Sequence, residues 1–433
     1  MRSEPEGVVR ALDKLNPVPE SARFQKVVLL AYDFPPTNLA GAARPWRFYR
    51  YLPESGYEPL VITASLQDPA KTPAGVIHVP DLTEDSIPYG VRWMARTAIR
   101  KTIRPGDIGM LWVPDALRAV ERLLWRGPVR AIYSTFPALN AHLVALNLKR
   151  RYGLPWVADF RDPLCGNPFS AHTSLSRWFE HWMERTIFAE ADILIGVTDR
   201  IVDRWREQYP QYAHKMHTIW NGFDPEDLIC ARPIAHAGRA RVMAHIGSFY
   251  GGRTPATVLG SILRLVQSGH IDPSAFRLRF VGDYGSGFFT PSIQVTFDNL
   301  ARIGCLEFED RQVPRSEALR VMTESDYLYL ADNSSSQSGY TVPAKLFEYV
   351  QVGRPILATT STNSPVDYIL RNSGIPYATL PPDATDERVD TCLAEFLKLP
   401  SDPVTSPSPW FHEKFDGRRQ TGALAAFFDS VLR

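Results

Sequence analysis

The chain has 433 residues, of which 44% are hydrophobic and 22% are charged, and this balance excludes wholesale disorder. Lys plus Arg number 48 and Asp plus Glu number 47, so a net charge of +1 excludes a global electrostatic surface for nucleic acid. The four cysteines are scattered without a CxxC pair, which predicts no disulfide framework. Residues 1–23 lack an apolar run, and no apolar stretch approaches ~20 residues, so neither a signal peptide nor a membrane span is predicted. Together these observations predict a cytoplasmic protein.

Strands and helices alternate from residue 27 onward. Residues 27–32 form a continuous aliphatic run, which is typical of a strand buried in a parallel sheet. A loop at 33–41, a helix over 44–52 and a strand at 60–63 follow, as at the start of a doubly wound sheet. The pattern then predicts strands at 131–134, 156–159, 193–197 and 217–220, and helices at 138–152, 172–190 and 199–208.

The same alternation restarts after a polar stretch at 231–240, which predicts a linker. Strand 242–247 opens a second glycine-rich loop at 247–252. The elements predicted after it are strands at 277–282, 305–308, 327–331 and 355–359, and helices at 255–268, 291–303, 315–324, 343–352, 386–398 and 411–433. Two successive α/β units therefore organise the chain.

Both glycine-bearing turns are predicted at the carboxyl edge of a parallel sheet, where such folds bind ligands. Glycine lets the backbone approach a phosphate, and the next helix directs N–H groups towards it. Neither GxGxxG nor GxxxxGK[ST] occurs, so a dinucleotide fingerprint and a P-loop are absent from the sequence. The alternative is that both turns merely connect a strand to a helix.

The segment SGYTVPAKLFEYVQVGRPIL, which begins at Ser338, carries the most specific pattern. Pro343 suits the first turn of a helix, on which Lys345 and Glu348 share a face. There the cation could serve a diphosphate and the carboxylate a ribose diol. The alternative is a surface ion pair worth a few tenths of a kcal/mol.

Six phrases in chain order resemble retaining glycosyltransferases of family 4, which have the GT-B fold. They are FPPTNLAGAARPWRFYRYL, GLPWVADFRDP, ADILIGVTDRIVDRW, IWNGFDPEDL, HIGSFYGGRTP and PAKLFEYVQVGRPILA. The resemblance covers about residues 25–370. It implies an α/β fold of two Rossmann-like, doubly wound domains facing across a cleft, with a C-terminal helix that crosses back to the first domain.

The resemblance also implies a domain organisation. Residues 1–24 are an N-terminal extension, and 25–232 form a Rossmann-like acceptor-binding domain. Residues 240–410 form a Rossmann-like domain that binds the nucleotide sugar, and 411–433 form the helix that packs back on the first domain.

The family's site residues carry over position by position. Glu348 matches the glutamate that holds the donor ribose, but Tyr340 stands where the family has a second glutamate, so the backbone of Gly339–Thr341 would take over part of that contact. Ser248 and Arg253 match the family's diphosphate-binding arginine and lysine, and Lys345 supplies a second cation. Gly41 matches the family's N-terminal glycine loop. The predicted donor-binding residues are Gly41, Ser248, Arg253, Gly339, Tyr340, Thr341, Lys345 and Glu348.

The reaction implied is the transfer of a sugar from a nucleotide diphosphate sugar to an acceptor, with retention, without a metal and without a cofactor. Arg253 and Lys345 would stabilise the departing diphosphate, and Asp162 would orient the acceptor hydroxyl unless it only caps the loop before Pro163. Asp159, Arg161 and Asp162 are expected to face the reacting carbon. The product would enter surface polysaccharide or glycolipid assembly.

Two alternatives stay open, a nucleotide-sugar epimerase or hydrolase on the same frame and a binding protein that has lost catalysis. For His142 and Asp283 the sequence leaves a functional and a structural interpretation open, and for residues 224–227 it favours one. His142 would line the cleft or be a buried structural histidine, Asp283 would lie near the donor or only end a strand, and residues 224–227 read as a turn.

Residues 91–104 predict a basic amphipathic helix. Such a helix could lie at an anionic membrane surface, which would place the protein peripherally at the inner face of a membrane with a sugar, lipid-linked or small-molecule acceptor. The alternative is a helix packed on its own domain with a solvated basic face.

Overall fold

The computed structural model describes residues 24–37, 39–65, 68, 72–81, 110–167, 173–227, 229, 238–249, 253–284, 288–332, 340, 342–402 and 404–433. The helix predicted at 91–104 lies outside these residues. The chain forms two compact units. Unit 1 comprises residues 1–224 and 417–433, and unit 2 comprises residues 225–416.

Unit 1 is built on a seven-stranded sheet with the strand order β3-β2-β1-β4-β5-β6-β7. All neighbouring strands are parallel. The strands are β1 (Gln25–Leu30), β2 (Tyr57–Thr63), β3 (Val76–His78), β4 (Val129–Phe136), β5 (Trp156–Phe160), β6 (Ile193–Gly196) and β7 (Met216–Thr218). The helices are α1 (Ala40–Tyr51), α2 (Val113–Arg126), α3 (Leu139–Tyr152), α4 (Ser174–Glu190) and α5 (Asp199–Gln208).

Unit 2 repeats the arrangement with six parallel strands in the order β10-β9-β8-β11-β12-β13. The strands are β8 (Arg241–Ile246), β9 (Phe276–Gly282), β10 (Leu306–Asp310), β11 (Tyr327–Ala331), β12 (Ile356–Thr359) and β13 (Tyr377–Leu380). The helices are α6 (Ala256–Gln267), α7 (Pro291–Ile303), α8 (Arg315–Glu324), α9 (Lys345–Val352), α10 (Pro365–Ser373), α11 (Asp386–Phe396) and α12 (Pro409–Phe415).

The strand order reverses once in each sheet, between β1 and β4 in unit 1 and between β8 and β11 in unit 2. At such a switch point the two crossover connections leave in opposite directions, which opens a crevice at the carboxyl ends of the strands. The strands beside it are buried, because helices cover both faces of a doubly wound sheet. The α/β prediction of two Rossmann-like units is confirmed.

Among the strands and α-helices of the described residues, four were not predicted. They are β3, α2, α10 and β13. Helix α2 carries a helical signal in its buried residues Ala116, Leu117, Val120 and Leu123, which recur at intervals of three and four. Strands β3 and β13 have three and four residues, too few for a periodic pattern to be visible.

The first helix begins four residues earlier than the predicted Arg44. Helix α1 starts at Ala40 and carries Pro45 inside it. Because proline has no N–H, the carbonyl of Gly41 loses its intrahelical donor. Pro45 therefore lies in the second turn of this helix and not in its first.

The single helix predicted over 411–433 is wrong, because the chain there forms α12 and a separate helix α13 (Gly417–Val431). Asp416, between them, has an extended backbone (φ −65°, ψ 121°). The Gly417 N–H donates to the Phe223 carbonyl at 3.0 Å. Helix α13 then packs in unit 1, where Leu424 and Phe428 join the core of β1, β2 and β4.

None of the helices in the described part of the chain is both long and apolar enough to cross a bilayer.

Candidate functional site

The switch point of unit 2 is lined by a glycine turn. Gly247 follows β8 and has φ +103°, a conformation that side chains rarely adopt. Its N–H donates to the Val281 carbonyl at 2.7 Å, and the backbone of Gly282 at the end of β9 lies directly against it. Asp283, next along the chain, is exposed at this strand end. Ser248, the predicted donor contact, follows Gly247 directly and is partly buried.

Lys345 lies over this turn. It is the first residue of α9, and its Nζ is 2.5 Å from the point where a Cβ on Gly247 would stand. Four residues later on the same helix a hydroxyl secures the position, since the Tyr349 hydroxyl accepts the Ile246 N–H at 3.0 Å. The N-terminus of α9, the ammonium group and the glycine backbone therefore meet at the carboxyl end of β8.

Arg253 adds a second positive charge beside Lys345. Its side chain is buried, and its charge lowers the pKa of Lys345. Burial is the larger cause, and together the two bring the pKa of Lys345 to about 7, although Glu348 acts in the opposite direction. The positive end of the α9 dipole also disfavours a cation at this position. Negative charge on a ligand would relieve all three effects.

Glu348 has a partner that the sequence did not predict. Its carboxylate pairs with Arg315 of α8 at 3.0 Å, and Arg315 pairs in turn with Asp227 at 2.8 Å. Burial raises the pKa of Glu348, and Arg315 opposes this shift. The surface pair of Lys345 with Glu348 is therefore replaced by a three-residue cluster. No local pattern could reveal Arg315, because it lies on a different helix.

Tyr340 is described and partly buried. Gly339 and Thr341, the other two residues predicted to contact the donor there, lie outside the described residues. Their roles stay predictions, as does the role of Tyr340. The turn predicted at residues 224–227 is present.

In unit 1, Gly41 lies in the first turn of α1 and not in the predicted loop, and two charged side chains cover it closely. A Cβ on Gly41 would stand 2.6 Å from the Asp33 carboxylate and 2.8 Å from the Arg161 guanidinium. Burial raises the pKa of Asp33, and Arg161 opposes this shift. Arg161 is anchored by its Nε, which donates to the Phe136 carbonyl at 2.9 Å. Asp33 escaped the sequence analysis, although it stands directly after the first predicted strand.

Asp159 does not face a ligand, which contradicts the expectation for this residue. It is fully buried, and both its oxygens accept hydrogen bonds from Arg44 at 2.8 Å. Tyr133 donates to the same carboxylate. The remaining Arg44 nitrogen donates to the Trp220 carbonyl at 2.8 Å. A buried arginine needs a carboxylate partner, so Asp159 ties α1 to β5 instead of meeting substrate.

Asp162 is partly buried in the loop after β5, and its predicted role stays a prediction. A cluster further along holds this loop to α4. The Cys165 N–H donates to Glu184 at 3.1 Å, and Cys165 Sγ lies 3.4 Å from His181 Nδ1. These three side chains could offer ligand atoms to a metal ion within 4.8 Å of one another. Burial and Glu184 raise the pKa of the Cys165 thiol, so without a metal it is protonated.

His142 is a buried residue of α3. Its Nδ1 lies 2.7 Å from Ser134 Oγ, and its ring packs against Phe136 and Phe160. The structural reading of this histidine is therefore the correct one.

Comparisons with known proteins agree with this architecture. Residues 40–222 match the family model described as glycosyl transferase 4-like domain. No curated protein matches the sequence significantly. Among solved structures, HepE from Anabaena, in complex with UDP and glucose, is 14% identical with a TM-score of 0.57, and the match covers 94% of this chain and all of that one.

Two further solved structures are similar over their full length. The lipopolysaccharide outer core galactosyltransferase WaaB is 12% identical, with a TM-score of 0.57 and coverage of 94% of this chain and 100% of that chain. The UDP-forming α,α-trehalose-phosphate synthase from Burkholderia vietnamiensis is 11% identical, with a TM-score of 0.60 and coverage of 94% and 99%.

The two parallel sheets, each with one reversal of strand order, and the similarity to these structures define the GT-B fold. The match of residues 40–222 to the glycosyl transferase 4-like domain agrees with the family that the sequence resembles.

Proposed function

We propose that this glycosyltransferase takes its sugar from a nucleotide diphosphate sugar held at the Gly247 turn of unit 2. The observation that carries the proposal is the pair of cations, Lys345 and Arg253, at a glycine turn and a helix N-terminus. A diphosphate is the small anion that suits two such cations and the free N–H groups of a helix end. Glu348, on the next turn of α9, is our candidate for the ribose hydroxyls.

Structural neighbours suggest the first donor to test. HepE has been crystallised with UDP-glucose, and the Burkholderia enzyme is named as UDP-forming. WaaB acts in the lipopolysaccharide outer core. For the present protein we propose a UDP-sugar donor and a role in surface polysaccharide or glycolipid assembly.

The proposed transfer proceeds with retention and without a metal. The bond between the anomeric carbon and the diphosphate oxygen breaks, and a bond from the same face to the acceptor oxygen forms. The acceptor proton passes to the departing diphosphate, which leaves as the nucleoside diphosphate. Arg253 and Lys345 stabilise the charge that grows on the leaving group, by preorganised electrostatics.

A coupled assay tests the proposal with UDP-glucose and a panel of free sugars and extracted glycolipids as acceptors. We expect release of UDP that requires an acceptor and persists in EDTA, and a product whose proton NMR coupling shows the donor's anomeric configuration. Strict dependence on a divalent cation, or an inverted product, would contradict the mechanism. Release without acceptor would favour a hydrolase, and binding without turnover would favour a binding protein.

The Arg253→Ala variant tests the leaving-group role. We expect kcat to fall by about 10²–10³ because the lost interaction strengthens towards the transition state, with a smaller change in KM. Arg302→Ala, at an exposed arginine near the end of α7, is the matched control and should retain full activity. A loss confined to KM would place Arg253 in ground-state binding only.

A further inference from the structure

Helix α4 exposes an unusual aromatic face. Leu175, Trp178 and Trp182 are 50%, 63% and 52% exposed. At 3.6 residues per turn they fall within an arc of about 60°, so they form one stripe along the helix. The two indole rings stack with centroids 6.3 Å apart and planes 5° apart. A soluble surface rarely leaves two large apolar rings together in water without a partner.

The charges around this stripe have one sign. Arg177, His181 and Arg185 are exposed along one side of it, whereas the two glutamates of the same stretch, Glu180 and Glu184, are buried at 2% and 1% exposure. Within the described part of the chain neither Arg177 nor Arg185 forms an ion pair. Among the described residues, the large and charged side chains that this face exposes are therefore indoles, an aliphatic side chain and basic groups.

The position of the stripe on the sheet is also defined. Helix α4 follows β5, and in a parallel α/β unit the helix begins at the carboxyl edge of the sheet. Leu175, Trp178 and Trp182 belong to its first half, so they lie towards the same edge as Gly41 and Asp33. Trp125, which is 85% exposed in the last turn of α2, lies towards the opposite edge.

We propose that this face of α4 docks the protein on an anionic membrane surface. Indoles favour the boundary between lipid headgroups and acyl chains, and arginines beside them attract anionic headgroups. The charge of the face is complementary to such a surface, since its carboxylates are turned inward. This inference goes beyond the proposed donor chemistry and does not depend on it.

Co-sedimentation with vesicles tests the proposal on the full chain at low salt. We expect binding to vesicles that contain phosphatidylglycerol, with a blue shift of tryptophan emission, and weak binding to phosphatidylcholine alone. The double variant Trp178→Gln/Trp182→Gln should bind at least about tenfold more weakly because two interfacial anchors are lost. Arg177→Gln/Arg185→Gln should bind roughly 30-fold more weakly because two headgroup attractions are lost.

The matched control is Trp125→Gln, which removes an exposed indole from the other edge and should bind like the unmodified protein. Circular dichroism melting verifies that all variants fold. Vesicle binding that is absent in the unmodified protein, or equal in the Trp178/Trp182 variant, would overturn the proposal. So would sedimentation velocity that shows the unmodified protein as a dimer and that variant as a monomer, with no vesicle binding in either. A loss of vesicle binding that leaves donor affinity unchanged would support it.

Discussion

Lys345 shows how one residue can report on the ligand of a site. Its ammonium group lies at the positive end of α9, beside the buried Arg253, and its pKa is lowered to about 7. In this surrounding the Lys345 amine binds its proton weakly as long as no anionic ligand lies beside it. The bound diphosphate would raise the pKa of Lys345 again, so donor binding and proton uptake are coupled.

This coupling predicts a pH dependence of donor affinity. The diphosphate of a nucleotide sugar is a diester and keeps its charge between pH 6 and 9, so Lys345 is the group that titrates at the diphosphate. Affinity should be constant below about pH 7 and fall as pH rises above it, by up to about tenfold per unit. Calorimetry in buffers of different ionisation enthalpy should detect proton uptake at pH 8.

The matched variant is Lys345→Arg, which keeps the positive charge throughout this range. Its donor affinity should no longer change between pH 7 and 9, and its binding should take up no proton. An equal pH dependence in both proteins would assign the effect to another group.

At the scale of elements, the separation of α12 from α13 depends on close contact at Gly417. A Cβ there would stand against Arg47 Cδ and 2.8 Å from the Phe223 carbonyl oxygen. The Gly417 N–H also donates to that carbonyl. Because backbone cannot move aside as a flexible side chain can, the start of α13 tolerates only glycine. Helix α13 then buries Leu424 and Phe428 in the core of unit 1.

A pair of alanine variants tests this contact. Gly417→Ala should lower the free energy of unfolding by about 1–3 kcal/mol, through overpacking against Arg47 and Phe223. Gly422→Ala, in the same helix with open space around the added Cβ, should raise it by about 0.5–1 kcal/mol. Urea denaturation measures both. Two changes of the same sign would show that helix propensity, and not the contact, dominates.

At the scale of the whole molecule, each unit places a glycine near its switch point, Gly41 in the first turn of α1 and Gly247 in the turn after β8, but only Gly247 lies beside two cations at a helix end. Gly41 lies beside Asp33 and Arg161, whose opposite charges already compensate each other. This difference in charge favours unit 2 as the part of the molecule that binds the donor. Because donor binding at this site needs no acceptor, the donor can be identified by binding alone.

A thermal-shift screen of UDP-, GDP-, ADP- and dTDP-sugars should raise the melting temperature with one base class. A ligand that binds only the folded state adds about 2.7 kcal/mol at a hundred times its Kd. Glu348→Ala should reduce that shift, because the candidate ribose contact is lost, and Arg302→Ala should not. No shift with any of the four classes would count against a nucleotide-sugar site.

Much of this architecture was predictable from local patterns. The helices at 199–208, 291–303 and 315–324 and the strand at 327–331 have the bounds that apolar periodicity and turn residues predicted. These signals are local, since each depends on residues within a few positions along the chain. Lys345 and Glu348 could be selected in the same way, because both lie within one motif on one helix.

Sequence alone thus determined two α/β units, the glycine turn after the first strand of the second unit, and the helix that carries Lys345 and Glu348. Tertiary structure decided which charges meet: Arg315 with Glu348, Asp33 and Arg161 over Gly41, and Arg44 with Asp159. It also divided the predicted C-terminal helix at Asp416, so that only residues 417–433 belong to unit 1. The physical reason is distance along the chain, because Arg44 and Asp159 are 115 residues apart and no local pattern records which distant side chain neutralises a buried charge.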